Sequence, residues 1–146
     1  IVSSVFLMLM QTNAAMCLSR LDIFSVLIAA LCHDIDHPGH TNAFEVNSMS
    51  ELAIRHNDDA VLERHHAHTT FQLLLREPEA ALFASLPASD LKQVRKNILE
   101  GILATDMSKH VRMCEVLVGK INKGVSSRTW PDAMLSRSVA PFMRGF

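Results

Sequence analysis

The residues with the clearest capacity for chemistry lie in the stretch CHDIDHPG at 32–39, at the end of a strongly apolar run. Neutral imidazole and carboxylate groups are typical ligands of divalent cations, and they are costly to bury unless they are paired, hydrogen-bonded or metal-bound. The stretch therefore predicts part of a metal-dependent hydrolytic centre, with His33, Asp34 and His37 as its candidate residues. The alternative is a helix C-terminus whose histidines interact with the negative end of the helix dipole.

A second cluster of candidate residues lies at 63–68. Glu63 and His66 are three positions apart, so they share one face of a helix. A Glu-x-x-His pair can bind a metal directly, or it can orient the ligands and waters of a neighbouring metal. Glu63 and His66 are therefore predicted to be functional, whereas His65 and His68 are predicted to lie on a solvated face.

A third segment, ATDMSKH at 104–110, gives a weaker signal. Asp106 precedes a helical pattern, and the default interpretation of such an aspartate is an N-cap. By itself, this segment indicates little about function.

The composition limits the classes of partner. The chain has 146 residues, 49% apolar residues and a formal net charge of −1. These values predict one globular domain, or a piece of one, without the basic surface that nucleic acid or an anionic membrane requires. The apolar runs are too short to span a bilayer, and the three widely spaced cysteines fit reduced thiols. We expect a cytoplasmic protein, although the parent protein could still associate with a membrane.

The hydrophobic pattern is helical throughout. Asp22 is predicted to cap the second helix, Ser48 to begin a capping box with Glu51, and residues 57–59 to cap the helix that follows. Gly124 is predicted to end the last helix. The predicted helices are a buried one at 2–18, a central one at 23–34, and others at 51–55, 60–76, 90–104 and 107–120.

The three segments, in this order, resemble the catalytic domain of class I cyclic nucleotide phosphodiesterases. The resemblance is carried by HDIDHPGHTNAFEVNSMSELAIRHNDDAVLERHH at 33–66, by ILATDMSKH at 102–110 and by the apolar approach helix before His33. It implies an all-α, multi-helix fold of the HD type, in incomplete form. Residues 1–120 would be the partial catalytic domain, and residues 121–146 a divergent tail that we expect to be poorly ordered alone.

The resemblance also implies an activity, hydrolysis of the 3′ ester of cyclic AMP or cyclic GMP to the 5′ nucleotide, with two divalent ions that activate a water. His33 and Asp34 would bind zinc at the tighter site, and Asp34 would bridge to magnesium or manganese at the second. The same resemblance implies supporting roles for His37, Glu63 and His66, and places in or beside the substrate pocket for Asn42, Thr105, Asp106 and Met107.

Several expected features of the family do not occur in this sequence. The general-acid histidine and a further metal-ligand histidine belong to a HN-x-x-H segment expected before Ile1, and the last metal-ligand aspartate belongs to a H-x-A-D segment that 121–146 lacks. His56 and Arg64 also stand where the family usually has Tyr and often has Asn. We therefore expect a fragment, with two of four metal ligands, that is inactive or nearly so alone.

Two alternatives remain at this stage. One is another HD-type phosphohydrolase, acting on linear nucleotides or cyclic dinucleotides, although the segments at 51–66 and 102–110 argue against it. The other is a non-catalytic helical module that binds a partner. The sequence predicts neither the oligomeric state nor a preference between cyclic AMP and cyclic GMP.

Overall fold

The fold is all-α, as the sequence predicts. A computed structural model describes residues 1–12, 14–76 and 82–126, and within them it contains helices and no strand. A 3-10 helix, Met107–Lys109, precedes the last α-helix. The α-helices are α1 (Val2–Gln11), α2 (Ala14–Cys17), α3 (Arg20–Cys32), α4 (Asn42–Asn47), α5 (Glu51–His56), α6 (Val61–Arg76), α7 (Ala88–Leu103) and α8 (His110–Ser126).

The hydrophobic core lies where α3, α6 and α7 pack together. Helix α7 contributes Val94, Ile98 and Ile102, which are fully buried and occur at the spacing of one helix face. Small residues bring α3 and α7 close together, because a Cβ added at Gly101 would lie 2.9 Å from the Cβ of Ala29. This packing makes α3 a central helix, as predicted, and fixes the position of its C-terminal end.

Helix α3 begins earlier than predicted. Ser19 is the N-cap, and Asp22, predicted to be the cap, is the N3 residue of a capping box. The Ser19 hydroxyl accepts a hydrogen bond from the Asp22 N–H (3.1 Å), and Asp22 Oδ2 accepts one from the Ser19 N–H (3.0 Å). Hydrogen bonds from Ser19 hold the pKa of Asp22 below its ordinary value. The reciprocal bonds explain the start, because they satisfy two N–H groups that would otherwise lack partners.

The predicted helix at 2–18 is two helices. The Thr12 backbone is extended and ends α1, while its hydroxyl donates to the Met8 carbonyl (2.6 Å) and accepts a hydrogen bond from the Ala14 N–H (3.3 Å). The prediction that this segment is buried is also wrong. Only Leu9 of α1 is buried, whereas Phe6 and Met8 are exposed among the described residues.

Two predicted caps are replaced by others. Ser48 ends α4, and Ser50 is the N-cap of α5, accepting a hydrogen bond from the Ala53 N–H (3.1 Å). The first turn of α6 is capped from a distance, because Asn42 Oδ1 accepts the Leu62 N–H (2.8 Å). Residue 57, predicted to cap α6, instead ends α5 in a left-handed conformation.

By its contacts the chain divides into two compact units, Ile1–His110 and Val111–Phe146. Asp106 caps the 3-10 helix through its hydrogen bond from the Ser108 N–H (2.9 Å), as its default interpretation predicted. Helix α8 continues beyond Gly124, contrary to the prediction, and residues 127–146 of the predicted tail lie outside the described residues. Among the described helices, none is both long and apolar enough to cross a membrane.

Replacing Gly101 with alanine tests the contact between α3 and α7. The added methyl group would meet Ala29 at 2.9 Å, and neither group has a rotamer that relieves the contact. We expect Gly101→Ala to lower the free energy of unfolding by about 1–3 kcal/mol, as overpacking does, measured by urea denaturation. The matched control is Gly119→Ala in α8, where no described atom lies within 4 Å of the added methyl group. It should be neutral or stabilising by up to about 1 kcal/mol.

Candidate active site

His33 lies at the C-terminal end of α3 with one ring nitrogen unsatisfied. Its Nδ1 is 3.0 Å from the Ala30 carbonyl, which can only accept, so Nδ1 carries the proton. In the neutral form of the ring, Nε2 then carries the lone pair, and this buried atom has no hydrogen-bond partner in the described part of the chain. The same Nε2 lies 3.0 Å from Asp34 Oδ2. A protonated ring would form an ion pair with Asp34 at this distance, whereas a neutral ring and the carboxylate could share a cation, as two metal ligands do.

His66 faces this end of α3 from α6. It is buried, and its Nδ1 donates a hydrogen bond of 2.7 Å to the carbonyl of Ile35. Burial lowers the pKa of His66, although the Ile35 hydrogen bond and the negative charge of Asp34 partly oppose this effect. The ring is therefore neutral at pH 7, with the proton on Nδ1 and a lone pair on Nε2.

His37 joins the same group, although not in the way that the sequence predicted. Helix α3 ends at Cys32, and Asp36 has a positive φ of 57°, so His33 and His37 do not share a helix face. Instead, the His37 ring stacks on the ring of His66, with 5.5 Å between centroids. His37 Nδ1 accepts the Gly39 N–H at 2.9 Å, which leaves Nε2 as the protonated nitrogen of the neutral ring.

Asn42 holds the N-terminus of α6 and the side chain of Glu63 together. Its Oδ1 accepts the Leu62 N–H (2.8 Å), and its Nδ2 donates to Glu63 Oε2 (2.9 Å). The Asn42 amide thus caps the Leu62 N–H and orients the carboxylate of the next residue, Glu63. Asn42 and Glu63 therefore form one arrangement at the start of α6, the helix that also carries His66, and the functional roles predicted for the three residues stay predictions.

His65 is not on a solvated face, so that prediction is wrong. Its side chain is 14% exposed, and its Nε2 lies 2.9 Å from Asp36 Oδ2. Sequence spacing gave no signal for this pair because the two residues are 29 positions apart. The expected solvation of His68 is confirmed, because its side chain is exposed.

A second pair that sequence reasoning missed joins His40 to Glu45. Glu45 on α4 is buried, and its carboxylate lies 2.9 Å from His40 Nδ1. Hydrogen bonds from Ser50 and His40 outweigh burial and hold the pKa of Glu45 below its ordinary value. A glutamate in the first turn of a short helix is a common solvated residue, so the sequence carried no sign of burial.

The predicted pocket residues Thr105, Asp106 and Met107 make their own local hydrogen bonds and ion pairs, and Asp106 is close enough to Asp59, before α6, to affect its pKa. Within the described ranges, no hydrogen bond or ion pair joins them to the histidine cluster. Asp106 is buried, and burial alone would raise its pKa, but hydrogen bonds from Ser108 and Lys109 outweigh burial and lower it. Met107 is 73% exposed, and the Thr105 hydroxyl donates to the Ile102 carbonyl.

The donor set fits one edge of a metal site. His33 and Asp34 bring an imidazole nitrogen and a carboxylate oxygen within 3.0 Å of each other, and His66 is held at the same turn by its hydrogen bond to Ile35. In the ranges that the structure describes, no group of three or more His, Cys, Asp or Glu side chains is placed to hold one ion. A metal ion held by His33 and Asp34 would therefore need further ligands from outside the described residues.

Comparison with known proteins agrees with this chemistry. The sequence matches the 3′5′-cyclic nucleotide phosphodiesterase family over residues 1–140. The chain belongs to this family. Cyclic nucleotide phosphodiesterases are metal-dependent as a family. A histidine nitrogen and a carboxylate oxygen 3.0 Å apart are compatible with this metal dependence.

Comparison with individual relatives shows what share of their length the chain covers. It is 42% identical to the high affinity cGMP-specific 3′,5′-cyclic phosphodiesterase 9A of Pan troglodytes, over 77% of this chain and 18% of that protein. It is 43% identical to the high affinity cAMP-specific and IBMX-insensitive 3′,5′-cyclic phosphodiesterase 8A of Homo sapiens, over 75% of this chain and 13% of that protein. The chain thus spans less than a fifth of either relative.

A solved structure supports the fold assignment. The phosphodiesterase domain of the RhoPDE fusion protein from the choanoflagellate Salpingoeca rosetta superposes with a TM-score of 0.63 at 44% identity. The superposition covers 65% of this chain and 30% of that one. The chain therefore has part of the all-α fold of a phosphodiesterase catalytic domain.

Asn42 provides a direct test of the arrangement around Glu63. Asn42→Ala removes both the cap on α6 and the donor to Glu63, so we expect a loss of about 1–2 kcal/mol in unfolding free energy. Asn42→Asp keeps the acceptor for Leu62 but places a second carboxylate against Glu63. Its deficit should shrink as the pH falls from 7 to 4, because protonating either carboxylate restores a donor. The deficit of Asn42→Ala should not change over that range, and parallel pH profiles would contradict the Glu63 contact.

The lowered pKa of His66 predicts a pH dependence of stability. An unfolded histidine takes a proton near its ordinary pKa of 6.5, whereas folded His66 takes one only at lower pH. The unfolded state therefore binds more protons below about pH 6.5. The stability that His66 contributes is complete above that pH and is lost as the pH falls. We expect His66→Gln to flatten the decline in unfolding free energy between pH 7 and 5, measured by urea denaturation.

The control for this experiment is His68→Gln, on the exposed side of the same helix. It should retain the decline of the unmodified chain. A decline that survives unchanged in His66→Gln would show that His66 is not held neutral in the folded state.

Proposed function

We propose that this chain is part of a domain that hydrolyses 3′,5′-cyclic nucleotides to 5′ monophosphates. The observation that carries the proposal is the buried Nε2 of His33, 3.0 Å from the Asp34 carboxylate, in a chain of the phosphodiesterase family. The activity belongs to the whole protein, because the chain spans less than a fifth of the relatives that were compared.

His33 and Asp34 are the proposed metal-binding residues. We assign zinc to the tighter position, where an imidazole nitrogen is present, and magnesium or manganese to a second position that Asp34 would share. When bound, such ions lower the pKa of a coordinated water and neutralise charge on phosphoryl oxygens. The chain's own contribution is to hold its two donors in place, which the Ala30 carbonyl does for His33 by fixing the tautomer.

The remaining residues orient polar groups around these donors. Asn42 fixes Glu63 as an acceptor, and Ile35 fixes His66 with its Nε2 lone pair available for a hydrogen bond from a water or a protonated group. His37, stacked on His66, keeps its Nε2–H as a donor. The Nδ1 protons of His33 and His66 are committed to carbonyls, so we propose that the proton for the leaving 3′ oxygen comes from another segment of the protein.

The proposed substrate class is the cyclic nucleotide, without a preference for either base. One compared relative is named as cGMP-specific and another as cAMP-specific, and their identities to this chain are 42% and 43%. Similarity at this level does not favour either nucleotide. The proposal places Asn42 and the segment 105–107 in or beside the substrate pocket, where the resemblance put them.

The activity is tested on the whole protein that contains these residues. We expect it to convert cyclic AMP or cyclic GMP to the 5′ nucleotide, and His33→Ala or Asp34→Asn to lower kcat by about 100-fold or more, measured by product chromatography. Glu115→Gln, an exposed carboxylate on α8, is the control and should retain full activity. Turnover of nucleoside triphosphates without turnover of cyclic nucleotides would support another HD-type phosphohydrolase instead.

Metal binding by the 146-residue chain gives a second readout. Zinc should bind only weakly to a chain that supplies two ligands, and His33→Ala should weaken this binding by a further factor of about ten or more, measured by equilibrium dialysis. Equal affinities for the two chains would remove the metal role of His33 while leaving the family assignment intact.

A further inference from the structure

A cavity of about 410 Å³ lies beside α6, on a different side from Glu63 and His66. Arg64 and Phe71 are seven positions apart and line it from one face of α6, whereas Glu63 precedes Arg64 by about 100° of helix rotation. Helix α7 supplies the opposite wall. The volume is in the range of small-molecule sites in proteins.

The cavity wall is basic. Three arginines, Arg64, Arg76 and Arg95, line it together with His56 and His68, and no Asp or Glu occurs among the described lining residues. Burial lowers the pKa of His56 most, and positive charges around it, including that of Arg64, lower it further. A histidine whose protonation is opposed by its neighbours indicates a locally positive potential.

Not all of these charges are available to a ligand. Arg64 is held by Asp59, through an ion pair and through a bond from its Nε to the Asp59 carbonyl (2.8 Å). Arg95 has no carboxylate partner among residues 1–12, 14–76 and 82–126, and its guanidinium carbon lies 4.5 Å from the centre of the Phe71 ring. Stacking uses the flat face of the guanidinium and leaves its N–H edge free, which is the edge that binds phosphate in a bidentate manner.

Apolar side chains form the rest of the wall. Phe71 and Leu75 of α6 face Leu99 and Leu103 of α7 across the cavity. A bare inorganic anion would leave this apolar surface in contact with water, whereas a ligand with an apolar body would cover it. The wall therefore matches a molecule that carries an anionic group at one end and a flat or aliphatic body at the other.

We propose that this cavity binds a phosphate monoester with an apolar body, held at its phosphate by Arg95. The site is separate from the proposed hydrolytic centre and does not depend on it. Such a phosphate could belong to a soluble metabolite or to the headgroup of a lipid, and the chemistry that recognises it is the same in both cases.

The test uses the 146-residue chain with a chelator present, so that metal-dependent binding is excluded. Phenyl phosphate is titrated by calorimetry and by amide NMR, with phenol and inorganic phosphate as probes of the two halves of the ligand. We expect saturable binding of phenyl phosphate, at least about tenfold weaker binding of either half, and amide shifts in α6 and α7 around the cavity.

Three variants distinguish specific binding in the cavity from a general effect of positive charge. Arg95→Gln should weaken phenyl phosphate binding by about tenfold or more. Arg20→Gln removes the same charge from an exposed residue that does not line the cavity, and it should leave binding unchanged. Circular dichroism establishes that both variants are folded, and Arg76→Gln provides a second cavity variant that does not disturb the Phe71 contact.

The source of the phosphate is distinguished with vesicles. Sedimentation with phosphatidylcholine vesicles, with and without phosphatidic acid, shows whether a lipid headgroup occupies the site in an Arg95-dependent manner. Arg95-dependent binding of either phosphate supports the proposal and identifies its source. The proposal is overturned if neither phosphate binds, if phenol binds as tightly as phenyl phosphate, or if Arg20→Gln weakens binding as much as Arg95→Gln.

Discussion

The hydrogen bond from His66 to the carbonyl of Ile35 is the contact on which the arrangement of the site depends. It joins residues 31 positions apart, and His66 is 2% exposed, so losing the bond would leave buried polar groups without partners at a cost of about 1–3 kcal/mol. Ile35 also packs against the hydrophobic core. The bond and the packing of Ile35 therefore hold the turn that carries His33 and Asp34 against the core.

A second contact between α6 and the end of α3, one helical turn from His66, helps to fix the orientation of α3. Thr70 is four residues after His66 on α6, and its hydroxyl donates to the His66 carbonyl at 2.7 Å. The Thr70 side chain also lies close to the thiol of Cys32, the last residue of α3, and burial raises the pKa of that thiol. A single contact would allow α3 to rotate about it, whereas two contacts a turn apart fix both the distance and the orientation of its C-terminal end.

How far the sequence predicted this structure depends on the range of the interactions. The helical pattern and the common helix of Glu63 and His66 follow from spacing within one segment, so local reasoning predicted both. The cap of α6 by Asn42 spans 20 residues and the His65–Asp36 pair spans 29, and no periodicity encodes either. The predicted start of α3 was wrong for a different reason. Ser19 and Asp22 are both good capping residues, and their reciprocal hydrogen bonds make Ser19 the cap.

The separation of two chemistries on α6 follows from the geometry of a helix. Positive charges near His66 would favour its neutral ring, but they would also repel a metal ion bound close to it. The arginines of α6 instead occur on the side where Phe71 and the α7 wall leave space, and Asp59 neutralises the arginine closest in sequence to Glu63. An arginine on the Glu63 face would compete with any cation for that carboxylate. The helix therefore keeps its positive charge about a quarter-turn or more from the acceptors that the hydrolytic centre needs.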